Sequence, residues 1–280
     1  GSTFIVSLPK PWVEQMGLQK GSVIRIKQRD DLTLCLSPEG ADKNESQRRA
    51  IINPRSDDTP ESIVRRVVSE YLMGYNIIQL RNNQQRLDSS QRFNVKDFTR
   101  KKLVGTEILS DLPKDLTLQV LLSYAELSVK DALRRMSVIA ASMHRDAIIA
   151  LGTEEVTLAK EIVAMDDEVD RFNLYIIRLL KVAVVDGHIL KESGLKSPRE
   201  CLGYRLITKS VERMADHAVN IAHNRLELTL SVIDKTLLDE LKKLSEFALD
   251  IFESAMASVF NESYDKTYKL LDMAEYIIKT

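Results

Sequence analysis

Hydrophobic and polar positions divide this 280-residue chain into three stretches of different period. From residue 1 to about 40 the period is two: TFIVSLP, SVIRIKQ and LTLCLS read as strands, and PWVEQMG reads as one or two helical turns closed by Gly17. The turn Arg29-Asp30-Asp31 joins the last two strands. Alternation in Val23, Ile24, Arg25, Ile26 and Lys27, and again from Leu32 to Leu36, leaves one apolar face. A unit this small cannot bury such a face by itself, which predicts dimerisation.

The polar stretch SPEGADKNESQ breaks all periodicity and predicts a linker. Beyond it, residues 48–122 alternate in type. RRAIINP, YNIIQLRN, TEILSDLP and DLTLQVLLS read as strands, TPESIVRRVVSEYLMG and FNVKDFTRKKLVG as helices. Thr59 before Pro60 and Glu61 predicts a helix start, and Gly74 a helix end. The result is a small α/β domain. It has no GxxxxGK[ST] phosphate loop and no GxGxxG after a strand, so nothing in its motifs supports a nucleotide site.

From 123 to the end the period is helical. Helices are predicted over 123–151, 154–191, 198–229, 234–261 and 264–280, with breaks at Gly152-Thr153, Gly194 to Pro198 and Asn261 to Ser263. Breaks this short predict antiparallel neighbours, the first three helices forming one bundle unit and the last two beginning a second. The chain stops inside a helical pattern, DMAEYIIKT, which predicts that the second unit is cut short. The fold class expected is multidomain and mainly α: a β unit over 1–40, an α/β domain over 48–122 and a helical bundle over 123–280.

Composition narrows the function classes. A formal net charge of −1 excludes a global polycation, so any nucleic-acid surface must be local. Cys35 and Cys201 are the only cysteines and lack CxxC spacing, which predicts reduced thiols in a cytoplasmic protein and excludes a zinc finger. The longest apolar run of the helical part, LYIIRLLKVAVV, contains Arg178 and Lys181 and is too short and too charged to span a membrane.

Two predicted helices repeat one acidic pattern. MDDEVDRFN places Asp166 and Asp170 four apart, and VERMADHAVN places Glu212, Asp216 and Asn220 at steps of four. Each polar row follows an apolar row by one residue: Met165 and Val169 in the first helix, Val211, Ala215 and Val219 in the second. The carboxylates therefore border a buried stripe. Two readings stand. With 41 acidic residues in the chain, pairs at this spacing arise by chance, and salt bridges to Lys209, Arg213 and Arg171 account for them. Alternatively, matched rows on adjacent helices bring several oxygen donors together and require a cation, protons or basic partners. Oxygen donors suit Mg, Mn, Ca or oxidised iron, whereas zinc prefers His or Cys. His217 lies about 100° around the helix from Asp216. No His has Glu three residues before it, which disfavours a di-iron carboxylate oxidase, and no nucleophile accompanies the acids, which disfavours catalysis.

Basic residues form two further candidates. Residues 1–29 carry Lys10, Lys20, Arg25, Lys27 and Arg29 against Glu14, a local net of +4, a candidate surface for DNA phosphates or a plain solvated face. The run Arg92, Lys96, Arg100, Lys101 and Lys102 reads as a solvated face or as a clamp onto the acidic bundle.

Two resemblances attach to these motifs. LPKPW and GLQKGS, within a match of nearly 40 residues, resemble the SpoVT/AbrB swapped-hairpin family, which implies an intertwined dimer that binds DNA, here through Lys10, Arg25 and Lys27. That family normally has another strand before the segment that starts at Gly1, so the DNA-facing dimer is expected to be incomplete. VERMADHAVNIAH, with MDDEVD as its companion, resembles the PhoU family of phosphate-uptake regulators over roughly 125–280. This resemblance implies a multinuclear metal cluster, commonly iron or zinc, with Asp166, Asp170, Glu212 and Asp216 as ligands and Asn220 and Asp167 in support. Asp272 is followed four residues later by Tyr276, so a second cluster is not expected. An AbrB-like head on a PhoU-like body resembles archaeal phosphate-uptake regulators, and implies a metal-bearing bundle that senses phosphate status and a DNA-binding head. The other function considered is a regulator of a phosphate transporter or its sensor kinase, with the head serving only to dimerise.

Overall fold

A computed structural model describes residues 4–28, 32–39, 48–153, 156–227 and 234–261. It is a multidomain, mainly α architecture. The chain divides into two compact units, 1–49 and 50–280.

In the first unit, helix α1 (Lys10–Gln15) precedes strands β1 (Ile24–Gln28) and β2 (Leu34–Pro38). Pro11 in the first turn of α1 supplies a preset φ, and Gly17 at φ +62° turns the chain out of the helix. β1 and β2 pair antiparallel, with Ile26 opposite Leu36 and Arg25 opposite Ser37. The turn Arg29-Asp30-Asp31 lies outside the described residues.

TFIVSLP, expected as a strand, is not one: residues 4–9 have no ladder, and Phe4, Ile5 and Val6 are 89%, 92% and 70% exposed. An extended segment needs an edge to pair with, and among the described residues β1 and β2 pair only with each other. The apolar hairpin face is likewise open, with Ile26 61% and Leu34 59% exposed.

The second unit begins with a four-stranded sheet. Its elements are β3 (Arg49–Ile52), α2 (Pro60–Leu72), β4 (Ile77–Arg81), α3 (Ser89–Lys102), β5 (Thr106–Leu112) and β6 (Asp115–Val120), with strand order β3-β4-β6-β5. β6 is antiparallel to both β4 and β5, and Leu109 interrupts the β5 register as a bulge. Thr59 caps α2 through the Ser62 amide, as its sequence predicted. α3 starts at Ser89, four residues before the expected boundary, because the Asp88 carboxylate accepts the Ser90 and Gln91 amides. Ile63, Val67 and Tyr71 of α2, Val95 of α3 and Ile78, Leu80, Leu116 and Leu118 of the sheet form its core.

Four long helices follow: α4 (Val129–Leu151), α5 (Thr157–Val185), α7 (Pro198–Glu227) and α8 (Lys235–Asn261), with short α6 (Gly187–Glu192) after α5. α4 starts at Val129, later than expected, because Ser128 caps it through the Asp131 amide. The helix expected over 154–191 divides at Asp186. That residue takes an extended conformation, and its Oδ1 accepts the amides of His188 and Ile189 at 2.8 and 3.2 Å. The helix expected over 264–280 lies outside the described residues. α4, α5 and α7 pack on one another through Ala132, Ala140, Ala147, Ala159, Ala215, Ala218 and Ala222, small side chains that bring the helices close.

The segments 48–122 and 123–280, which the sequence separates by pattern, pack as one compact unit. Their junction is built on Arg178 of α5, which is completely buried. Nη1 donates to the carbonyls of Tyr71 and Tyr75, the latter at 3.0 Å, and Nη2 donates to Asn76 Oδ1 at 2.9 Å. The guanidinium also lies over the Tyr71 ring, 4.8 Å from its centroid. These acceptors stand at and just beyond the C-terminus of α2, the negative end of its dipole. Gly74 is required there twice over. Its φ of +87° suits glycine, and a Cβ would come within 2.7 Å of Val182 Cγ2 on α5.

Arg178→Met removes the charge and takes from the Tyr75 carbonyl and Asn76 Oδ1 the bonds that the guanidinium gave them, while the Tyr71 carbonyl keeps the Gly74 amide at 3.1 Å. Urea denaturation is expected to show a loss of about 3 kcal/mol or more, and a variant as stable as the parent would show that the junction does not depend on this group.

Candidate metal centre

The two acidic rows sit on α5 and α7, on the border of the bundle core. Val169, Val211 and Ala215 are buried; Asp170 and Glu212, each one residue beyond a buried valine, are half-buried, as are Asp166 and Asp167 one turn earlier on α5. Asp216 and Asn220 are exposed. Helical periodicity explains this placement, since one step of about 100° moves a side chain from the buried stripe to its edge.

The rows meet electrostatically. Burial first, then the charge of Asp170, with smaller contributions from Asp216 and Asp167, pushes the Asp166 carboxyl up to about 6, against the opposing pull of Lys102. Asp216, although exposed as a residue, is also raised, by partial desolvation of its carboxyl, then by Glu212 and Asp170. Among the described residues, no hydrogen bond or ion pair reaches the side chain of Asp166 or Asp216.

The other acids are engaged. Lys102, the last residue of α3, donates to Asp167 Oδ1 at 2.5 Å and Asp170 Oδ2 at 2.7 Å, with only 15% of its side chain exposed. Burial alone would lower the proton affinity of this ammonium, but the bonds to both aspartates outweigh it and the net direction is up. Lys209 pairs with Glu212 on the same helix. The salt-bridge reading thus holds in part. Lys209 serves as expected, whereas Arg171 pairs with Glu168 at 3.5 Å and the main counter-cation comes from another layer.

Lys102 realises the clamp reading of the basic run. Arg92 and Lys96 are tied instead to Asp111, whose carboxyl they hold below the usual range, and Lys101 to Asp97.

The donors are all oxygens, and the unneutralised charge around Asp166 is chemically suited to a hard cation. They are not assembled into a ligand cage: among the described residues no three His, Cys, Asp or Glu side chains stand together in a metal-holding arrangement. Lys102 engages one oxygen of Asp170 and Lys209 one oxygen of Glu212.

Two polar residues beside the rows escaped the sequence reading. Asn173 continues the Asp166–Asp170 row at the next turn, and its Oδ1 is buried without a partner. Its signal lies in the spacing, since positions 166, 170 and 173 fall on one helical face. His144 on α4 has both ring nitrogens buried without hydrogen bonds. Burial, then His217 and Arg145, lowers its proton affinity. No local motif marks it, because His217 reaches it from α7.

In the first unit Lys10 lies 3.8 Å from Glu14, both exposed. Arg25 is exposed on β1, and the Lys27 side chain lies outside the described residues.

Metal-free protein offers a direct check on Asp166. A carboxyl raised above its unfolded value binds its proton more tightly when folded. Its favourable effect on stability is therefore full below about pH 4 and lost as pH rises through about 6. Asp166→Asn is expected to flatten that decline in chelator-treated protein. At pH 7 it should add roughly 1 kcal/mol after allowance for solvent screening, as read from urea midpoints between pH 4 and 8. An unchanged pH profile would contradict the like-charge description.

The comparisons with known proteins fall on these two regions. Residues 133–224 match the PhoU domain model, a span that includes α5, α7 and both acidic rows. Residues 1–44 match the model described as antidote-toxin recognition MazE, bacterial antitoxin, a span that includes Lys10, Arg25 and Lys27. No curated protein and no solved structure gives a match. The chain therefore carries a PhoU domain in its helical bundle, behind an N-terminal domain of the MazE/AbrB-like type.

Proposed function

We propose that this protein is a cytoplasmic, dimeric regulator of phosphate homeostasis that binds DNA through its N-terminal unit and senses phosphate status through a metal centre on the bundle. The reading is carried by Asp166, Asp170 and Asp216, contributed by two helices inside the span that matches a PhoU domain, with the charge of Asp170 raising the proton affinity of both Asp166 and Asp216. Asp166, Asp170, Glu212 and Asp216 would hold the metal, with Asp167 and Asn220 in support. Iron or zinc is the resemblance-based choice, magnesium or manganese the one the oxygen donors favour. A bound cation would neutralise the row and offer a site for phosphate oxygens.

The chain's own residues provide the link to the rest of the unit. Lys102 carries the charge of Asp167 and Asp170 into α3, so the electrostatic state of the row bears on the seating of the α/β layer. Neither matched domain description names an enzymatic activity, and regulation is the reading adopted. No described helix is long and apolar enough to cross a membrane.

One observation favours a second reading. Lys10 has Glu14 beside it, which reduces the positive field of the N-terminal unit. In that reading the unit only dimerises, through the open face at Ile26 and Leu34, and the bundle regulates a phosphate transporter ATPase or a sensor kinase.

Elemental analysis tests the metal centre. Native protein is expected to retain metal that an Asp170→Ala, Glu212→Ala double variant loses, and equal content in both would remove the claim. A salt series with promoter DNA tests the head. Affinity should fall steeply with salt, and Arg25→Ala should shallow the logarithmic slope by about 1. No binding at low salt, or a flat response, would favour the second reading.

A further inference from the structure

A second candidate site lies in the α/β layer, where β3 and β4, neighbours in the sheet, both end. The loops that follow them enclose a cavity of about 220 Å³ lined by Arg55, Asn82, Gln85, Arg86, Asp88 and Gln91, among others. Loops beyond the ends of adjacent strands are a common place for ligands in α/β layers.

The walls are held in place. Gln91, 5% exposed, donates from Nε2 to the carbonyls of Arg55 at 3.2 Å and Asp58 at 2.8 Å. The Arg55 amide donates to Asp58 Oδ2 at 2.8 Å, and Arg66 donates to the same oxygen at 2.9 Å. Asn82 Oδ1 accepts the amides of Gln84 and Gln85 at 3.0 and 3.1 Å. Asp88, the only carboxylate in the lining, spends one oxygen on the Ser90 and Gln91 amides at the start of α3.

Neither the Arg55 nor the Arg86 guanidinium has a hydrogen bond or ion pair among the described residues, although Gln91, Asp58 and Asn82 hold the backbone around them. With two guanidinium charges against one carboxylate, the lining is net positive. Planar guanidinium groups match the oxygens of phosphate and similar anions two at a time. The layer has no glycine-rich cradle, so recognition here falls to side chains.

We propose that this cleft binds a compact phosphate group, as inorganic phosphate or as the phosphate of a small monoester, between Arg55 and Arg86, with the Gln85 side chain at its edge. The cavity is too small for a dinucleotide. Gln91 acts as a positioning residue by fixing the Arg55 backbone.

The test is calorimetric titration of the full chain with inorganic phosphate and with glycerol 3-phosphate at low ionic strength. Prior chelator treatment removes metal-borne phosphate binding, so the outcome is independent of the metal centre. Saturable binding of either ligand is expected, weakened about tenfold or more by Arg55→Gln or Arg86→Gln and lost in the double variant. Lys101→Gln, remote from the cleft, should leave it unchanged. Tighter binding of phosphate would assign the free ion, and tighter binding of the ester an organic ligand; both support the site. Circular dichroism and the thermal midpoint should not change in the variants, because both arginines are exposed and unpaired. No saturable binding of either ligand, affinity unaltered in the double variant, or binding of a single-stranded oligonucleotide alone would overturn the proposal.

Discussion

A guanidinium removed from water and given no carboxylate must be answered by oriented dipoles, and Arg178 is answered by the end of a helix in another layer. Desolvating such a charge costs several kcal/mol, so the arrangement tolerates little displacement. The carbonyls of Tyr71 and Tyr75, the Asn76 amide and the Tyr71 ring all have to be present together. Gly74 lets α5 come close enough for this to happen. The α/β layer and the bundle are consequently one compact unit.

The same helix carries the acidic row. Asp170 and Arg178 are eight residues apart on α5, about 12 Å along its axis. α3 meets that row through Lys102 while α2 meets Arg178, so the sheet layer grips one helix at two charged points of opposite sign. Anything that changes the charge of Asp166 or Asp170 acts beside a contact that seats the layer. The N-terminal unit obeys a different constraint, having a hairpin but no described partner for Phe4 to Val6 or for its apolar face.

Much of the fold was legible because its local signals are strong. The Thr59-Pro60-Glu61 start, the Gly74 stop and the four strands of the sheet follow from capping chemistry and period. The misses have local causes too. Asp88 and Asp186 are capping aspartates that move helix boundaries away from those the period predicts, and TFIVSLP has strand composition without a described edge to join. At the candidate centre, the rows themselves and their place beside Val169, Val211 and Ala215 were readable. A clamp from the basic run was one of two readings open there, but that Lys102 makes it, on Asp167 and Asp170, was not readable, since 65 and 68 residues separate them.

Sequence alone therefore determined which residues share a face, where most elements begin and end, and that two acidic rows border one buried stripe. Those properties repeat within a few residues, and backbone geometry imposes them wherever the chain lies. Only the tertiary structure decided which charges answer which. Arg178, an interruption in an apolar run, became the joint between two layers, and Lys102, one of five bases on a helix, became the partner of the acidic row. Coulomb attraction and hydrogen bonding act through space at a few ångströms, and no local pattern records which distant residue packing will bring that near.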